Sequence, residues 1–432
     1  MIKQYFQQAW GQLRQQPLIS LVNVAGTALS IFLIMLVVMM QQVQVEPFQP
    51  ESNRDRFLHV RCGSITNVNW GEDDTSNGPF SVRSAKEMYK SLTTPEAVTL
   101  YTIGTTATPV SLPNQAATAV DVKETDDDFW RVFEFAFTAG KPYDRATFDA
   151  GQPVAVITES VARLLFGTTD VAGREFLLAH APYRISGVVQ DVSTLATTAY
   201  AQVWIPYTST DQVNNTWTAD LMGMMSCTIL AKSRADFPAI REECDRRLAA
   251  FNQVIGESGG YRFFSRNRPY DQEKNALATA ANHEPDLRGE RRSRLMIYLI
   301  LLIVPAINLS SMTQSRLRQR VSEIGVRRAF GCTRGEIAGQ ILAENFIVTL
   351  LAGVLGFLLS VGFAYTCNDI IFAQEFSRTL NPPTVDASIL IHLSTFLWAL
   401  LFCFVLNLLS AGIPAWRAAR MNIVESIGGR LH

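Results

Sequence analysis

The sequence predicts a membrane protein with four transmembrane α-helices and a large α+β extracytoplasmic domain inserted between spans 1 and 2. Three features lead to this prediction: four uncharged apolar stretches, a long charged stretch between the first two, and the distribution of arginines. Of the 432 residues, 48% are hydrophobic and 18% are charged, which is typical of a chain that is partly embedded in a membrane. The net charge of −1 gives no general attraction to nucleic acid.

The four uncharged stretches predict the membrane spans. Crossing the hydrocarbon core takes roughly 20 apolar helical residues, and a charge at its centre costs at least about 2.5 kcal/mol. A cleaved signal peptide is the alternative for the first stretch, but its apolar run exceeds the roughly 7–15 residues of such segments. The second run is the shortest and contains Pro305 and Asn308. We predict spans at 18–41, 294–313, 342–366 and 388–411.

The arginines predict the orientation, because short cytoplasmic loops carry an excess of Lys and Arg. Arginines are concentrated between the second and third spans and in the C-terminal tail. The cytoplasmic parts are therefore 1–17, 314–341 and 412–432, with 367–387 as a short external loop. A long translocated domain follows this rule only weakly. The cluster that opposes the assignment precedes the second span and comprises Arg288, Arg291, Arg292 and Arg294.

Residues 1–17 have an amphipathic pattern that predicts a helix lying on the inner leaflet, with Pro17 at the turn into the first span. A plain cytoplasmic extension of that span is the alternative. The apolar face comprises Ile2, Tyr5, Phe6, Trp10 and Leu13.

Residues 42–293 alternate strand-like and helix-like patterns, which predicts an α+β domain of two subdomains. A short helix is expected to end at Gly167 and a longer one to be capped by Asp236. The run from Asp126 to Asp128 predicts a surface turn capping the helix that holds Trp130, in preference to a cation site. Strands are predicted at 153–157, 183–192, 203–205 and 227–231, and helices at 159–166 and 236–254.

The sequence contains no motif that predicts a catalytic or metal site. Its histidines lack ligand spacing, and CxxC and HExxH do not occur. We therefore expect no enzyme activity and no bound cofactor or metal on this chain. Whether two of Cys62, Cys227 and Cys244 form a disulfide stays open.

The segment 314–341 is predicted to be a basic amphipathic helix broken at Gly331, followed by a second helix. Leu317, Val321 and Ile324 share one face. Thr333 and Glu336 have the spacing of a capping box. A basic helix at a membrane surface can bind anionic lipid or dock in a groove of a cytoplasmic partner, and these residues alone leave both open.

This segment resembles the signature of the FtsX/MacB-type ABC permease superfamily, R-x-x-E-I-G-(hydrophobic)-R-(R/K)-A-x-G followed by a helix with a late L-x-E. Cys332 stands where Ala is common. The stretches 128–142, 154–191 and 414–425 resemble other parts of the same family, so the resemblance covers both halves of the chain. The matching signature residues are Arg320, Glu323, Ile324, Gly325, Arg327, Arg328, Ala329, Gly331, Leu342 and Glu344.

The resemblance implies the permease subunit of an ABC transporter in the bacterial inner membrane, with both termini cytoplasmic and the large domain periplasmic. It implies a dimer with a second copy or a related permease, and a cytoplasmic ATPase that holds the ATP. Hydrolysis would change the shape of the periplasmic domain and drive efflux or the export of lipid or lipoprotein. The residues coupling to the ATPase would be Arg320, Glu323, Ile324, Gly325, Arg327, Arg328 and Gly331.

The sequence contains no G-x-x-x-x-G-K-[ST] phosphate-binding motif, so the ATPase is expected on a separate chain. A regulatory scaffold that activates a cell-wall hydrolase is the alternative function, and a periplasmic adaptor is a further candidate partner. The substrate, the choice of homodimer or heterodimer and any outer-membrane channel are not encoded. Ala352, Gly356 and Ser360 have small-x-x-x-small spacing, which suits a dimer contact or packing within one subunit equally.

Overall fold

The computed structural model describes residues 17–71, 73–211, 214–319 and 321–367, with residues 380, 397–398, 401, 405, 408 and 412. Residues 1–16 of the helix predicted at 1–17 lie outside the described residues, as do Arg320 and most of the predicted fourth span. The chain divides into two compact units. The described part of one comprises 17–41 and 288–367 with isolated later residues, and that of the other comprises 42–287 and Leu380.

The described residues form helices and strands as follows. The helices are α1 (Pro17–Val45), α2 (Val82–Ala85), α3 (Phe129–Val132), α4 (Arg145–Asp149), α5 (Glu159–Phe166), α6 (Phe237–Gly259), α7 (Gln272–Ala276), α8 (Leu287–Gln319), α9 (Val321–Ala329) and α10 (Arg334–Thr366). The strands are β1 (Phe57–Val60), β2 (Gly63–Asn67), β3 (Ser76–Gly78), β4 (Ala97–Thr102), β5 (Thr106–Ser111), β6 (Thr118–Thr125), β7 (Phe137–Gly140), β8 (Val154–Thr158), β9 (Glu175–Leu178), β10 (Ala181–Val189), β11 (Val203–Pro206), β12 (Met225–Leu230), β13 (Tyr261–Phe264) and β14 (Tyr270–Asp271).

Two of the described helices are long and apolar enough to cross a membrane, judged by length and composition. They are Val24–Val45 within α1 and Arg334–Thr366, which is α10. The first and third predicted spans fall on these helices. The second predicted span falls inside α8. Helix α10 is longer than the predicted span because it starts at Arg334, within the predicted cytoplasmic segment.

Six strands of the outer domain close into a ring in the order β11-β8-β10-β9-β5-β6, with β6 pairing again with β11. The pairs β8–β10 and β6–β11 are parallel, and the other pairs in the ring are antiparallel. Closure removes the unpaired strand edges that would otherwise be exposed. The ring encloses a buried core that includes Val122, Ile157, Phe176, Ile185 and Val203.

The sheet then continues from β6 through β4, β12, β1 and β14. Helix α6 contributes Ile240, Cys244 and Ile255 to a second core, where they join side chains such as Leu100 and Ile229. A small sheet, β13-β2-β3, supplies Ile65 and Phe263 to the same core. These elements confirm the predicted α+β domain.

Most local predictions for this domain are confirmed, with shifts of a few residues. Strands β8 and β11 occupy the predicted positions, and α5 ends at Gly167, whose φ of +72° suits glycine. Asp236 occupies the cap position predicted for α6, but its carboxylate does not cap the helix. The Asp236 carboxylate accepts from the backbone N–H and the hydroxyl of Ser233, in the turn that precedes the helix. Cys62, Cys227 and Cys244 are free thiols.

The surface turn predicted at Asp126 is wrong, because Asp126 is 0% exposed. Strand β6 is buried at its end, up to Thr125, so the carboxylate of the next residue, Asp126, is also buried. There it accepts hydrogen bonds from Lys90 Nζ at 2.5 Å, Thr99 Oγ1 at 2.7 Å and the Leu100 backbone N–H at 3.0 Å. Burial raises the pKa of Asp126, while Lys90 opposes that rise. This carboxylate therefore belongs to a buried ion pair.

Candidate functional site

Helices α9 and α10 form a hairpin that turns at Gly331. Gly331 has φ +98°, in the left-handed region that favours glycine. Its N–H donates to the Arg328 carbonyl, and the Cys332 N–H donates to the Arg327 carbonyl, which satisfies acceptors at the end of α9. Thr333 Oγ1 accepts from the Glu336 N–H, and the Glu336 carboxylate accepts from the Thr333 N–H at 2.8 Å. The predicted capping box is confirmed.

A small apolar core holds the two helices of this hairpin together. Ile324 of α9 packs with Ile337 and Ile341 of α10, and Cys332 lies against them. Gly325 is also buried. One of the predicted coupling residues, Ile324, therefore lies inside the hairpin and helps to position the side chains that face outward.

A chain of polar side chains crosses from α9 to α10. Arg327 Nη2 lies 2.5 Å from Glu323 Oε1, and Arg327 Nη1 donates to Gln340 Oε1 at 2.9 Å. Gln340 Nε2 donates in turn to Glu344 Oε1 at 3.0 Å, and Glu344 is only 5% exposed. Exposed Glu323 and half-buried Arg327 are thus held in fixed positions, with half-buried Arg328 beside them.

Phe330 lies at the turn of the hairpin and is 88% exposed, a feature that sequence reasoning missed. Val326 on the same helix is 45% exposed. The sequence did contain one signal: Phe330 lies off the face shared by Val321 and Ile324, immediately before the glycine of the turn. A fully exposed phenylalanine on a rigid turn is a candidate contact residue, since large apolar side chains gain free energy when a partner covers them.

Ala352, Gly356 and Ser360 lie on one buried face of α10, and Gly356 packs against α1 within one chain. Ala352 and Ser360 are 0% exposed, and Gly356 lies against Ala28 and Ile31 of α1. Among the described residues no group of three or more His, Cys, Asp or Glu side chains is placed to hold a metal ion.

Two protein families match this chain. The MacB-like periplasmic core domain matches residues 20–247, and the FtsX-like permease C-terminal family matches residues 295–423. The first match covers the outer domain up to the middle of α6. The second covers most of α8, all of α9 and α10, and the predicted fourth span.

Similar proteins include macrolide export ATP-binding/permease proteins MacB. The protein from Escherichia coli strain K12 is 24% identical over 319 residues, which are 73% of this chain and 44% of the relative. The protein from Chromobacterium violaceum is 24% identical over 305 residues, 69% of this chain and 42% of the relative. The chain spans less than half the length of these relatives. The solved periplasmic region of MacB from Actinobacillus actinomycetemcomitans is 15% identical, covers 48% of this chain and 89% of that one, and has a TM-score of 0.31.

Proposed function

The chain belongs to the family of FtsX-like permeases with a MacB-like periplasmic core domain, and we propose that it passes motion from a separate cytoplasmic ATPase to its periplasmic domain. In this proposal it works as a dimer in the inner membrane, with both termini in the cytoplasm. The partner subunit holds the ATP, and this chain contributes no catalytic residue. The resulting change in the periplasmic domain drives efflux or the export of a lipid or lipoprotein.

The exposed tip of the hairpin is the observation that carries this proposal. Phe330 is 88% exposed and follows the basic residues Arg327 and Arg328. Apolar anchors flanked by charge are typical of protein docking surfaces. Burying one such side chain contributes about 1.5–3 kcal/mol. Because the isoleucine core and the capping box already order the turn, docking would cost little conformational entropy.

Helix α10 supports the coupling step, because it begins at this hairpin and continues into the predicted third span. It has 33 residues without a break in its helical backbone. At about 1.5 Å per residue, such a helix is roughly 50 Å long. A displacement of Phe330 by an ATPase would therefore be carried along a single rigid element.

Affinity purification from native membranes tests this proposal, with ATPase activity assayed in each eluate. The variants are Phe330→Ala and Glu323→Arg, the second of which breaks the pair with Arg327. Leu164→Ala is the matched control, because Leu164 is a 55% exposed apolar residue of the outer domain. We expect wild type and Leu164→Ala to retain an ABC ATPase, and both hairpin variants to retain about tenfold less, equivalent to about 1.4 kcal/mol of binding.

Two other results would count against the proposal. Equal retention of the ATPase by all four proteins would show that the hairpin is not the docking surface. If wild type retains no ATPase in mild detergent, the regulatory scaffold becomes the better hypothesis, and a search for a co-purifying cell-wall hydrolase would follow.

A further inference from the structure

The end of α1 is held by a buried ion pair. Arg54 and Glu51 are 1% and 0% exposed, and Arg54 Nε lies 2.7 Å from Glu51 Oε2. Arg54 Nη1 donates to the carbonyl oxygens of Val43 at 2.7 Å and Glu46 at 3.0 Å. Such carbonyls lack partners within the helix, and a cation there is also favoured by the helix dipole. The last turn of α1 is therefore bound to the Glu51–Arg54 pair.

The same ion pair binds residues 195–202, which are the second part of the connection between β10 and β11. Arg54 Nη2 donates to the Leu195 carbonyl at 3.0 Å. The backbone N–H groups of Thr198 and Ala199 both donate to Glu51 Oε1 at 2.9 Å. Burial raises the pKa of Glu51, but Arg54 and the Ala199 N–H together lower it by more than burial raises it. The pKa of Glu51 therefore lies below its ordinary value. The carboxylate is thus held in its charged form against two backbone donors.

Residues 195–202 are unusual for a connecting segment, because such segments normally lie at the surface. Thr198, Ala199 and Tyr200 are 7%, 0% and 4% exposed. Their backbone acceptors are satisfied by side chains: Lys123 Nζ donates to the Thr198 carbonyl at 2.6 Å, and Trp204 Nε1 to the Ala199 carbonyl at 3.0 Å. Together with the hydrogen bonds to Glu51, these contacts hold the backbone of the segment in one position.

The far end of this segment binds Asp121, which also binds the chain that follows the predicted third span. Tyr200 OH donates to Asp121 Oδ2 at 2.9 Å, and the Asp121 N–H donates to Gln202 Oε1 at 3.0 Å. The Leu380 N–H lies 3.0 Å from both carboxylate oxygens of Asp121. Leu380 belongs to the predicted external loop 367–387. Asp121 is 0% exposed, so its carboxylate is a buried acceptor for the Leu380 N–H.

We propose that residues 195–202 form a transmission strap, which couples the end of α1 to the external loop after the third span through Glu51 at one end and Asp121 at the other. This inference rests on the proposed function, because the strap would be where motion of two spanning segments enters the outer domain. Loosening either attachment would then loosen the other, as thermodynamic coupling between two sites is reciprocal.

Amide hydrogen exchange of the full chain in lipid nanodiscs, without any ATPase, tests the strap. Glu51→Gln places an amide NH₂ against Arg54, and the milder Tyr200→Phe removes only the hydroxyl that binds Asp121. Asp126→Asn is the matched control, since it alters a buried carboxylate that contacts Lys90 instead of the strap. We expect Glu51→Gln to raise exchange about tenfold at residues 43–46 and 198–199, and also at Leu380. Tyr200→Phe should raise exchange at Leu380 and also at residues 198–199.

The proposal is overturned if each variant changes exchange only at its own hydrogen-bond partners, or if Asp126→Asn produces the same pattern. It is supported if the effect of each variant reaches the opposite end of the strap, while Asp126→Asn raises exchange at residues 43–46, 198–199 and Leu380 no more than in the rest of the outer domain. Because no ATPase is present, this result does not depend on the docking experiment. If exchange shows the coupling but no ATPase co-purifies, the strap is supported and the proposed function is not. If an ATPase co-purifies but exchange shows no coupling, only the strap is refuted.

Discussion

Gly356 of α10 lies directly against the carbonyl oxygen of Ala28 in α1: a Cβ built on Gly356 would stand 2.6 Å from that oxygen. It would also stand 3.0 Å from the Cβ of Ile31. Ala352 and Ser360, about one turn to either side, are fully buried. Close approach of the two helices therefore depends on small residues along one face of α10.

Gly356→Ala should lower the thermal midpoint of the protein in detergent. The added methyl group meets backbone that cannot move aside without separating the helices, and such overpacking costs about 1–3 kcal/mol. Gly362→Ala is the control, because a Cβ there meets no atom of the described residues within 4 Å. That change should leave the midpoint unaltered or raise it, since Ala is favoured over Gly in helices by up to about 1 kcal/mol. Equal midpoints for both variants would contradict the close contact.

Removing the buried carboxylate of Asp126 should destabilise the outer domain strongly. Asp126→Ala leaves Lys90 Nζ, whose side chain is 19% exposed, without its most buried partner. Breaking a buried pair from one side costs about 3–5 kcal/mol. Asp128→Ala removes the more exposed partner of the same lysine and should cost under about 1 kcal/mol. Denaturant unfolding followed by tryptophan fluorescence would compare the two, and similar losses would disprove the asymmetry.

The free energy of unfolding should fall as the pH drops from about 6.5 to 4 because of His59. This side chain is 1% exposed, and burial lowers its pKa from 6.5 to about 4, although the Glu51 carboxylate acts in the opposite direction. In this window the unfolded chain binds a proton that the folded chain does not, so acid favours unfolding. His59→Gln should remove that part of the pH dependence.

Denaturant midpoints between pH 4 and 7 measure this effect, with exposed His283 changed to Gln as the control. The stability difference between wild type and His59→Gln should shrink as the pH falls, and a substitution at the exposed His283 should not reproduce this trend. A pH-independent difference for His59→Gln would show that the ring does not titrate as its burial predicts.

Thr333→Ala should loosen the start of α10 without unfolding the hairpin. The substitution removes the acceptor for the Glu336 N–H and costs about 1 kcal/mol, which is roughly a fivefold faster exchange of that amide. Thr333→Ser retains the hydroxyl and should exchange like wild type. Faster exchange in both variants would argue that the hydroxyl does not cap the helix.

Most predictions that depended on neighbouring residues were confirmed, although the Asp236 carboxylate does not cap α6. The turn at Gly331, the capping box at Thr333 and the end of α5 at Gly167 each depend on residues within one helical turn. Their conformations follow from local hydrogen bonding and from the freedom of glycine to adopt positive φ. The coupling role of the hairpin residues stays a prediction, and the structure adds Phe330 to them.

Predictions that required distant partners failed or were never made. The sequence predicts a surface position for Asp126 because its partner, Lys90, lies 36 positions away in the chain. The contact between Glu51 and Thr198 joins residues separated by 147 positions. A hydropathy pattern predicts that charged residues such as Asp126 and Glu51 are exposed, because burying a charge is costly unless a partner pairs with it.

By itself the sequence determined the long apolar helices, the α+β character of the outer domain and the resemblance to a permease family. These follow from periodicity, charge distribution and local motifs, all of which are carried by nearby residues. Only the tertiary structure decided that Ile324 packs inside the hairpin while Phe330 projects from it, and that Glu51, Arg54 and Asp121 hold residues 195–202 in place. Burial of a charge is stable only where folding brings its partners to hydrogen-bond distance, and that depends on contacts between residues far apart in the chain.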